Sequence, residues 1–78
     1  MPRRQPRLLG DALREARQAD GATQQAVAVD LGVAVRTYQR WEDSEVRPGA
    51  GQVFALADRL GVDARELATL PLTRERAA

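Results

Sequence analysis

Apolar residues recur at helical spacing along five stretches of the 78-residue chain, and glycine or proline punctuates the sequence between several of them. Repeats at i, i+3, i+4 and i+7 place side chains on one face of an α-helix. The pattern therefore predicts an all-α chain with five helices, at about residues 8–19, 23–31, 34–42, 52–60 and 64–70. Gly32 forms the corner between the second and third helices.

The third helix has the clearest two-sided pattern. At 100° per residue, one side collects the residues expected to pack, Ala34, Tyr38, Trp41 and Glu45. The opposite side carries a polar stripe along about two turns of helix, Arg36, Gln39, Arg40 and Asp43. Guanidinium and carboxamide groups are those that pair with base edges in the DNA major groove. The stripe therefore predicts a surface that reads DNA.

Several motifs occur in a fixed order around this helix. They are LGDALREAR in the first helix, TQQ at the start of the second, LGV at the corner, YQRWE in the third, RP after it, and LADRLGVDARELATL at the end. In this order they resemble the helix-turn-helix domain of the Cro and phage-repressor family, often called XRE-like. The resemblance covers about residues 9–70. It implies a five-helix, λ-repressor-like domain over residues 8–72, with the helix-turn-helix formed by the second and third helices.

The same resemblance implies which residues contact DNA. Base reading falls on residues near the start of the third helix, Val35, Arg36, Gln39 and Arg40. Arg36 suits guanine O6 and N7, and Val35 suits a thymine methyl group. Phosphate contacts are expected from Gln24, Gln25, Thr37 and Arg47. The alternative for the arginines of the third helix is an ordinary solvated helix face.

Helix caps follow the family pattern in two places and depart from it in one. Thr23 is expected to cap the second helix, and Asp63 with Glu66 three residues later predicts a capping box at the fifth. The third helix has Ala34 where relatives usually carry serine or threonine, so about 1 kcal/mol of capping is missing.

Residues 1–7 form a basic segment without acids, in which two prolines disfavour a helix. The functional interpretation is a flexible arm whose Arg3, Arg4 and Arg7 contact phosphates or a minor groove. The alternative is a disordered start that only aids solubility. Residues 73–78 are expected to be a frayed tail.

Two sets of charges bear on packing and on DNA affinity. The resemblance implies that Arg17 pairs with Glu42 and ties the first helix to the third; the alternative is two unrelated surface charges. Asp43 and Glu45 stand where many relatives carry glycine or basic residues. Carboxylates beside a phosphate track weaken binding unless they point away or pair with Arg40 or Arg47.

Three apolar residues are not accounted for by one small core, namely Phe54, Leu70 and Leu72. The resemblance implies a homodimer formed through this C-terminal region, with two recognition helices about 34 Å apart on one face of DNA. The alternative is that these side chains cover the lower edge of the monomer.

Composition narrows the functional class. The formal net charge of +1 argues against a general polyanion binder. The chain has no Cys, His or Lys and only one serine, Ser44. The usual nucleophile systems and zinc sites are therefore excluded, and no enzyme activity, metal or cofactor is expected. No apolar stretch of membrane-span length or secretory signal occurs, so a cytoplasmic location is expected.

These observations predict a sequence-specific, double-stranded DNA-binding transcriptional regulator, with repression at a two-fold symmetric operator as the expected mode. The alternative is a protein-interaction module of the same fold. The antitoxin of a toxin-antitoxin pair, with weak or autoregulatory DNA binding, is one example. The near-neutral charge and the carboxylates of Asp43 and Glu45 motivate that alternative.

Overall fold

The helices of the structure lie close to the stretches that the apolar pattern predicts. The computed structural model describes residues 7–73. Within this range the chain forms five helices and no strand, α1 (Leu9–Asp20), α2 (Gln24–Leu31), α3 (Val35–Glu42), α4 (Ala50–Leu60) and α5 (Ala64–Thr69). The predicted all-α, five-helix fold is confirmed.

Local caps explain most of the helix ends. The Thr23 hydroxyl accepts a hydrogen bond from the Ala26 N–H at 3.0 Å and so caps α2. Gly32, with φ of 71°, takes the left-handed conformation that turns the chain from α2 into α3. Ala34 lies at the start of α3 without a side-chain cap, as its side chain dictates.

Two predicted boundaries need correction. Helix α4 begins at Ala50 rather than at Gln52, because the Gln52 side chain accepts a hydrogen bond from the Gly49 N–H at 3.1 Å and closes an earlier first turn. At α5 only half of the predicted capping box forms. Asp63 accepts from the Arg65 N–H at 3.0 Å, whereas the Glu66 carboxylate lies 3.4 Å from a guanidinium nitrogen outside α5.

One core joins all five helices. Helix α1 packs on α3 and α4, α2 packs on the same two helices, and α5 packs on α4. The buried apolar side chains are Leu9, Ala12, Leu13, Val27, Ala28, Tyr38, Trp41, Val53, Leu56, Ala57, Leu60 and Leu67. The rings of Tyr38 and Trp41 meet edge to face, with centroids 6.1 Å apart. This packing holds α3 by one face and leaves its other face open.

The packing face of α3 is shorter than the helical projection predicts. Ala34 and Glu45 are exposed, whereas Glu42 is buried beside Tyr38 and Trp41. The helix ends at Glu42, so the 100° projection does not apply to later residues. Asp43, a member of the predicted polar stripe, likewise lies one residue beyond the helix.

The C-terminal segment packs against the monomer. Leu70 and Leu72 are half-buried and contact the core, while Phe54 remains 67% exposed. The Pro71 carbonyl accepts from the Leu9 N–H at 2.9 Å, which joins this segment to the start of α1. The packing of the two leucines matches the alternative in which they cover the lower edge of the monomer, and it leaves Phe54 as the exposed member of the set.

Helix α1 passes very close to the end of α3 at Gly10. A Cβ atom at Gly10 would overlap the backbone carbonyl of Glu42 and would lie 2.7 Å from the Ser44 hydroxyl. Backbone atoms cannot move aside as a flexible side chain can. A residue without a side chain is therefore required at this contact.

We expect Gly10→Ala to lower the free energy of unfolding by about 1–3 kcal/mol, because α1 and α3 must separate to make room for the methyl group. Urea denaturation followed by Trp41 fluorescence measures the change. Gly51→Ala is the matched control, since a Cβ atom there meets nothing within 4 Å and φ is not positive. Alanine in the first turn of α4 should leave stability unchanged or raise it by up to about 1 kcal/mol. Equal losses in both variants would contradict the close contact at Gly10.

Candidate nucleic-acid interface

The open side of α3 presents long polar side chains next to the turn that follows the helix. Arg36 and Arg40 are exposed, and Gln39 is half-buried. Five residues, Arg36, Gln39, Arg40, Asp43 and Glu45, line one shallow depression, which we term the α3 polar face. Three of the four residues predicted to read bases therefore lie together. The fourth, Val35, is half-buried and packs against the core, which restricts its access to a ligand.

Gln39 is held at the inner edge of this face by Gln24 of α2. The Gln39 amide nitrogen donates to the Gln24 carbonyl oxygen at 3.2 Å, and the Gln24 amide nitrogen donates to Glu42 Oε1 at 3.0 Å. Gln24, for which the resemblance implies a phosphate contact, thus uses both ends of its amide within the protein. Its role in the structure is to orient Gln39.

Glu42 is the buried charge to which this chain of hydrogen bonds leads. Its side chain is fully buried, and Arg17 of α1 binds it through two nitrogens, with Nε 2.6 Å from Oε2 and Nη2 3.1 Å from Oε1. The remaining Arg17 nitrogen donates to the Ala22 carbonyl at 3.1 Å. The structure thus brings together the two residues of the predicted ion pair, in the forked geometry that favours arginine over lysine.

Arg14 is a second arginine at this site, and the sequence reasoning missed it. Its Nη2 donates to the backbone carbonyl of Glu42 at 3.2 Å and lies 3.9 Å from Asp43 Oδ1. The end of a helix carries unsatisfied carbonyls and negative potential, so a cation is favourable there. Its spacing of three residues from Arg17, which puts both on one face of α1, is a signal in the sequence that could have found it.

The protonation states of the buried groups follow from these contacts. Burial alone would raise the pKa of Glu42, but hydrogen bonds from Arg17 and Gln24 and the Arg17 charge outweigh burial, and the pKa lies below its usual value. Burial, reinforced by the Glu42 charge, raises the pKa of Tyr38. The Tyr38 hydroxyl has no hydrogen-bond partner in the described part of the chain. At neutral pH, Glu42 is therefore charged and Tyr38 neutral.

Two arginines expected at phosphates are held by the protein itself. Arg47 donates to the Leu70 carbonyl at 2.6 Å, at the end of α5. Arg7 lies 2.7 Å from Glu15 and 3.4 Å from Glu66, so it joins α1 to α5 rather than extending as part of a free arm.

The other predicted phosphate contacts differ in accessibility. Gln25 is exposed on the first turn of α2, and Thr37 is half-buried on α3. Arg3 and Arg4, the rest of the predicted basic arm, lie outside the described residues, as does most of the predicted tail after Thr73.

The two acids of the α3 polar face have different neighbours. Asp43 lies near Arg14, at 3.9 Å, whereas Glu45 Oε1 lies 3.9 Å from Arg40 Nε. Both pairs are exposed and contribute less than about 1 kcal/mol each. The acids thus divide between an arginine of α1 and an arginine of α3.

The five helices are all short, and their acidic side chains are dispersed. None of the helices within residues 7–73 is long and apolar enough to cross a membrane. No group of acidic, histidine or cysteine side chains in that range is arranged to hold a metal ion.

We expect Glu42→Gln to lower the free energy of unfolding by about 3–5 kcal/mol at pH 7, because it leaves the buried Arg17 charge without its partner. The difference from wild type should shrink with acid. The folded-state pKa of Glu42 is depressed, so its contribution is complete above the unfolded-state value of about 4.3 and is lost as pH falls through the folded-state value. Urea denaturation between pH 7 and pH 3 measures both effects.

The control for this experiment is Asp43→Asn, which removes a neighbouring carboxylate that is 57% exposed. Its cost should stay below about 1 kcal/mol. A Glu42→Gln variant that loses no more stability than the Asp43→Asn variant would show that the buried pair is not a main support of the fold.

Comparison with known proteins identifies the fold. A family model described as a helix-turn-helix domain matches residues 8–70, most of the chain. No curated protein matches the sequence at a significant level.

Three solved structures resemble this one. The P22 c2 repressor protein, in a crystal structure with the synthetic operator 9T in the presence of Tl⁺, is 28% identical over 78% of this chain and 92% of that chain, with a TM-score of 0.75. The solution structure of the DNA-binding domain of the P22 c2 repressor is 25% identical over 94% of this chain and 96% of that one, with a TM-score of 0.77.

A hypothetical transcription factor from Neisseria, NHTF, has a TM-score of 0.74 over 91% of this chain and 85% of its own. At 23% identity it supports the fold alone. The predicted resemblance to phage repressors is confirmed by the family model and by the P22 structures. The chain belongs to the helix-turn-helix domain family.

Proposed function

We propose that the chain is a DNA-binding transcriptional regulator that inserts α3 into the major groove and reads a specific sequence there. The observation that carries this proposal is the α3 polar face, which lies on the second helix of a helix-turn-helix unit. A relative of that fold, the P22 c2 repressor, has been crystallised with a synthetic operator. Major-groove insertion of this helix is the general docking mode of the motif.

Arg36 and Gln39 are the side chains best suited to read bases. Arg36 is exposed, and no ion pair within residues 7–73 involves it, so its guanidinium is available for guanine O6 and N7. Gln39 suits adenine, and its hydrogen bond to Gln24 fixes its orientation before DNA arrives. A base-reading side chain that is already oriented loses less conformational entropy on binding.

Phosphate contacts are proposed at the edges of the same surface. The first turn of α2 offers free backbone N–H groups beside exposed Gln25, and Thr37 flanks α3. Arg3 and Arg4 are proposed to add contacts from the N-terminal arm. Arg7 and Arg47 serve a phosphate only if their present hydrogen bonds, to Glu15 and to the Leu70 carbonyl, are broken.

We propose further that the chain acts as a homodimer on a two-fold symmetric operator and represses by occupying a promoter. Exposed Phe54 supports this proposal. It borders an open, largely apolar groove of about 570 Å³ between α4 and α5, whose lining includes Ala50, Val53, Ala64 and Ala68. A large aromatic side chain beside an apolar groove is typical of an association surface.

The rival function is a protein-interaction module, such as an antitoxin, with weak DNA binding. The presence of Asp43 and Glu45 on the α3 polar face, in a chain with a net charge of only +1, favours it. A steep fall of affinity with salt favours the DNA-binding function, because phosphate contacts release counterions.

We expect wild-type protein to prefer the duplex upstream of its own gene over a scrambled duplex in fluorescence anisotropy, measured across about 50–200 mM salt. Arg36→Ala should lose about 1–3 kcal/mol of that preference, the worth of a bidentate contact to guanine. Arg36→Lys is the matched variant, since it keeps the charge but not the forked geometry, and it should also lose most of the preference.

If wild type binds both duplexes equally, a random duplex pool replaces them, because the operator can lie elsewhere. A pool that yields no enriched sequence would refute DNA reading. An Arg36→Lys variant with wild-type selectivity would show that Arg36 contributes charge only.

We expect Phe54→Ser to weaken self-association about tenfold or more, because the ring leaves the apolar interface proposed between copies. Sedimentation equilibrium over a range of protein concentrations measures the dimer constant. Val29→Ser is the control, since Val29 is an equally exposed apolar residue, at 66%, on α2. A chain that is monomeric at every concentration, or a dimer that is insensitive to Phe54→Ser, would contradict this surface.

A further inference from the structure

The turn after α3 fixes a carboxylate beside one of the two exposed arginines of the α3 polar face. Ser44 has a φ of 59°, in the left-handed region that residues other than glycine rarely adopt. Its N–H donates to the Trp41 carbonyl at 3.2 Å, and the Glu45 N–H donates to the Arg40 carbonyl at 2.9 Å. This is the double hydrogen bond of a Schellman ending, and it anchors the Glu45 backbone directly to Arg40.

We propose that Glu45 is a specificity-determining residue that restrains Arg40 and thereby weakens binding to DNA of arbitrary sequence. The inference rests on the proposed function. It assigns to Glu45 a positive role on the surface where a carboxylate otherwise only opposes phosphate binding.

The contacts distinguish Glu45 from Asp43 in this role. Asp43 lies near Arg14, which is already bound to the Glu42 carbonyl. Within the described residues, the one ion pair of Glu45 is with Arg40, at 3.9 Å, and both side chains are at least half exposed. Arg36 has no such neighbour in that range, so the two arginines of the face differ in freedom although they lie four residues apart.

The energetic consequence depends on the DNA sequence. A phosphate of any duplex attracts Arg40 but repels Glu45, and the two effects offset each other. A guanine placed opposite Arg40 adds two directed hydrogen bonds, which compensate for the weakened pair with Glu45. Glu45 therefore disfavours every duplex that lacks this compensation, and discrimination arises from a repulsion against wrong partners.

The test compares wild type with Glu45→Gln on two duplexes, one selected by the wild-type protein from a random pool and one scrambled. Affinity for the scrambled duplex should rise about five- to tenfold and affinity for the selected duplex less than about twofold, so their ratio falls at least about threefold. The salt dependence on the scrambled duplex should steepen by about one phosphate contact, because Arg40 is released. Circular dichroism verifies that the variant folds.

Two further variants separate the restraint of Arg40 from simple charge. Asp58→Asn removes one exposed carboxylate on α4, for which the structure shows no ion pair within residues 7–73, and should change both affinities by the same small factor. In an Arg40→Gln background, Glu45→Gln should leave the ratio unchanged, because the group through which it acts is gone.

A selective wild type whose ratio is unchanged by Glu45→Gln would overturn the inference while leaving the proposed function intact. The inference also fails if the full effect persists in the Arg40→Gln background, or if Asp58→Asn reproduces it. A wild type that enriches no duplex from the pool would overturn the proposed function, and this inference with it.

Discussion

The buried carboxylate of Glu42 is the constraint on which the arrangement of the helix-turn-helix depends. A charge without water around it is costly unless opposite charge and hydrogen bonds replace the lost hydration. Here Arg17 of α1 and Gln24 of α2 supply those bonds, so the three helices meet at one group of α3. Because Gln24 also binds Gln39, the contact that orders the core extends to the surface proposed to read DNA.

The last turn of α3 sorts its acidic residues among different arginines. Glu42 points inward to Arg17, while Asp43 and Glu45 lie outward near Arg14 and Arg40. Helical geometry accounts for the first separation, since adjacent residues point about 100° apart. The left-handed turn at Ser44 accounts for the second, because it carries the chain back across the helix end. Space for this turn depends on Gly10, where α1 has no side chain.

The fold was predictable where the causes are local, and the site was predictable only in part. Apolar period, Thr23 and Gly32 are each visible in the sequence, and each acts within a few residues of its position. Arg7, Arg14 and Arg47 find partners that are distant in sequence, so no spacing rule indicates that they are occupied. The projection of α3 failed at Glu45, because periodicity carries no information on where a helix ends.

A near-neutral domain can still discriminate well between DNA sequences. Non-specific affinity comes mainly from net attraction to phosphates, and a charge of +1 keeps that attraction small. Specificity is a ratio of affinities, so lowering the non-specific part is as effective as adding a base contact. With Arg7 and Arg47 bound within the protein and Arg40 beside Glu45, Arg36 is left as the arginine of α3 without a carboxylate neighbour in the described chain. Binding then depends on what Arg36 and the oriented Gln39 meet in the groove, which makes the low charge compatible with a selective regulator.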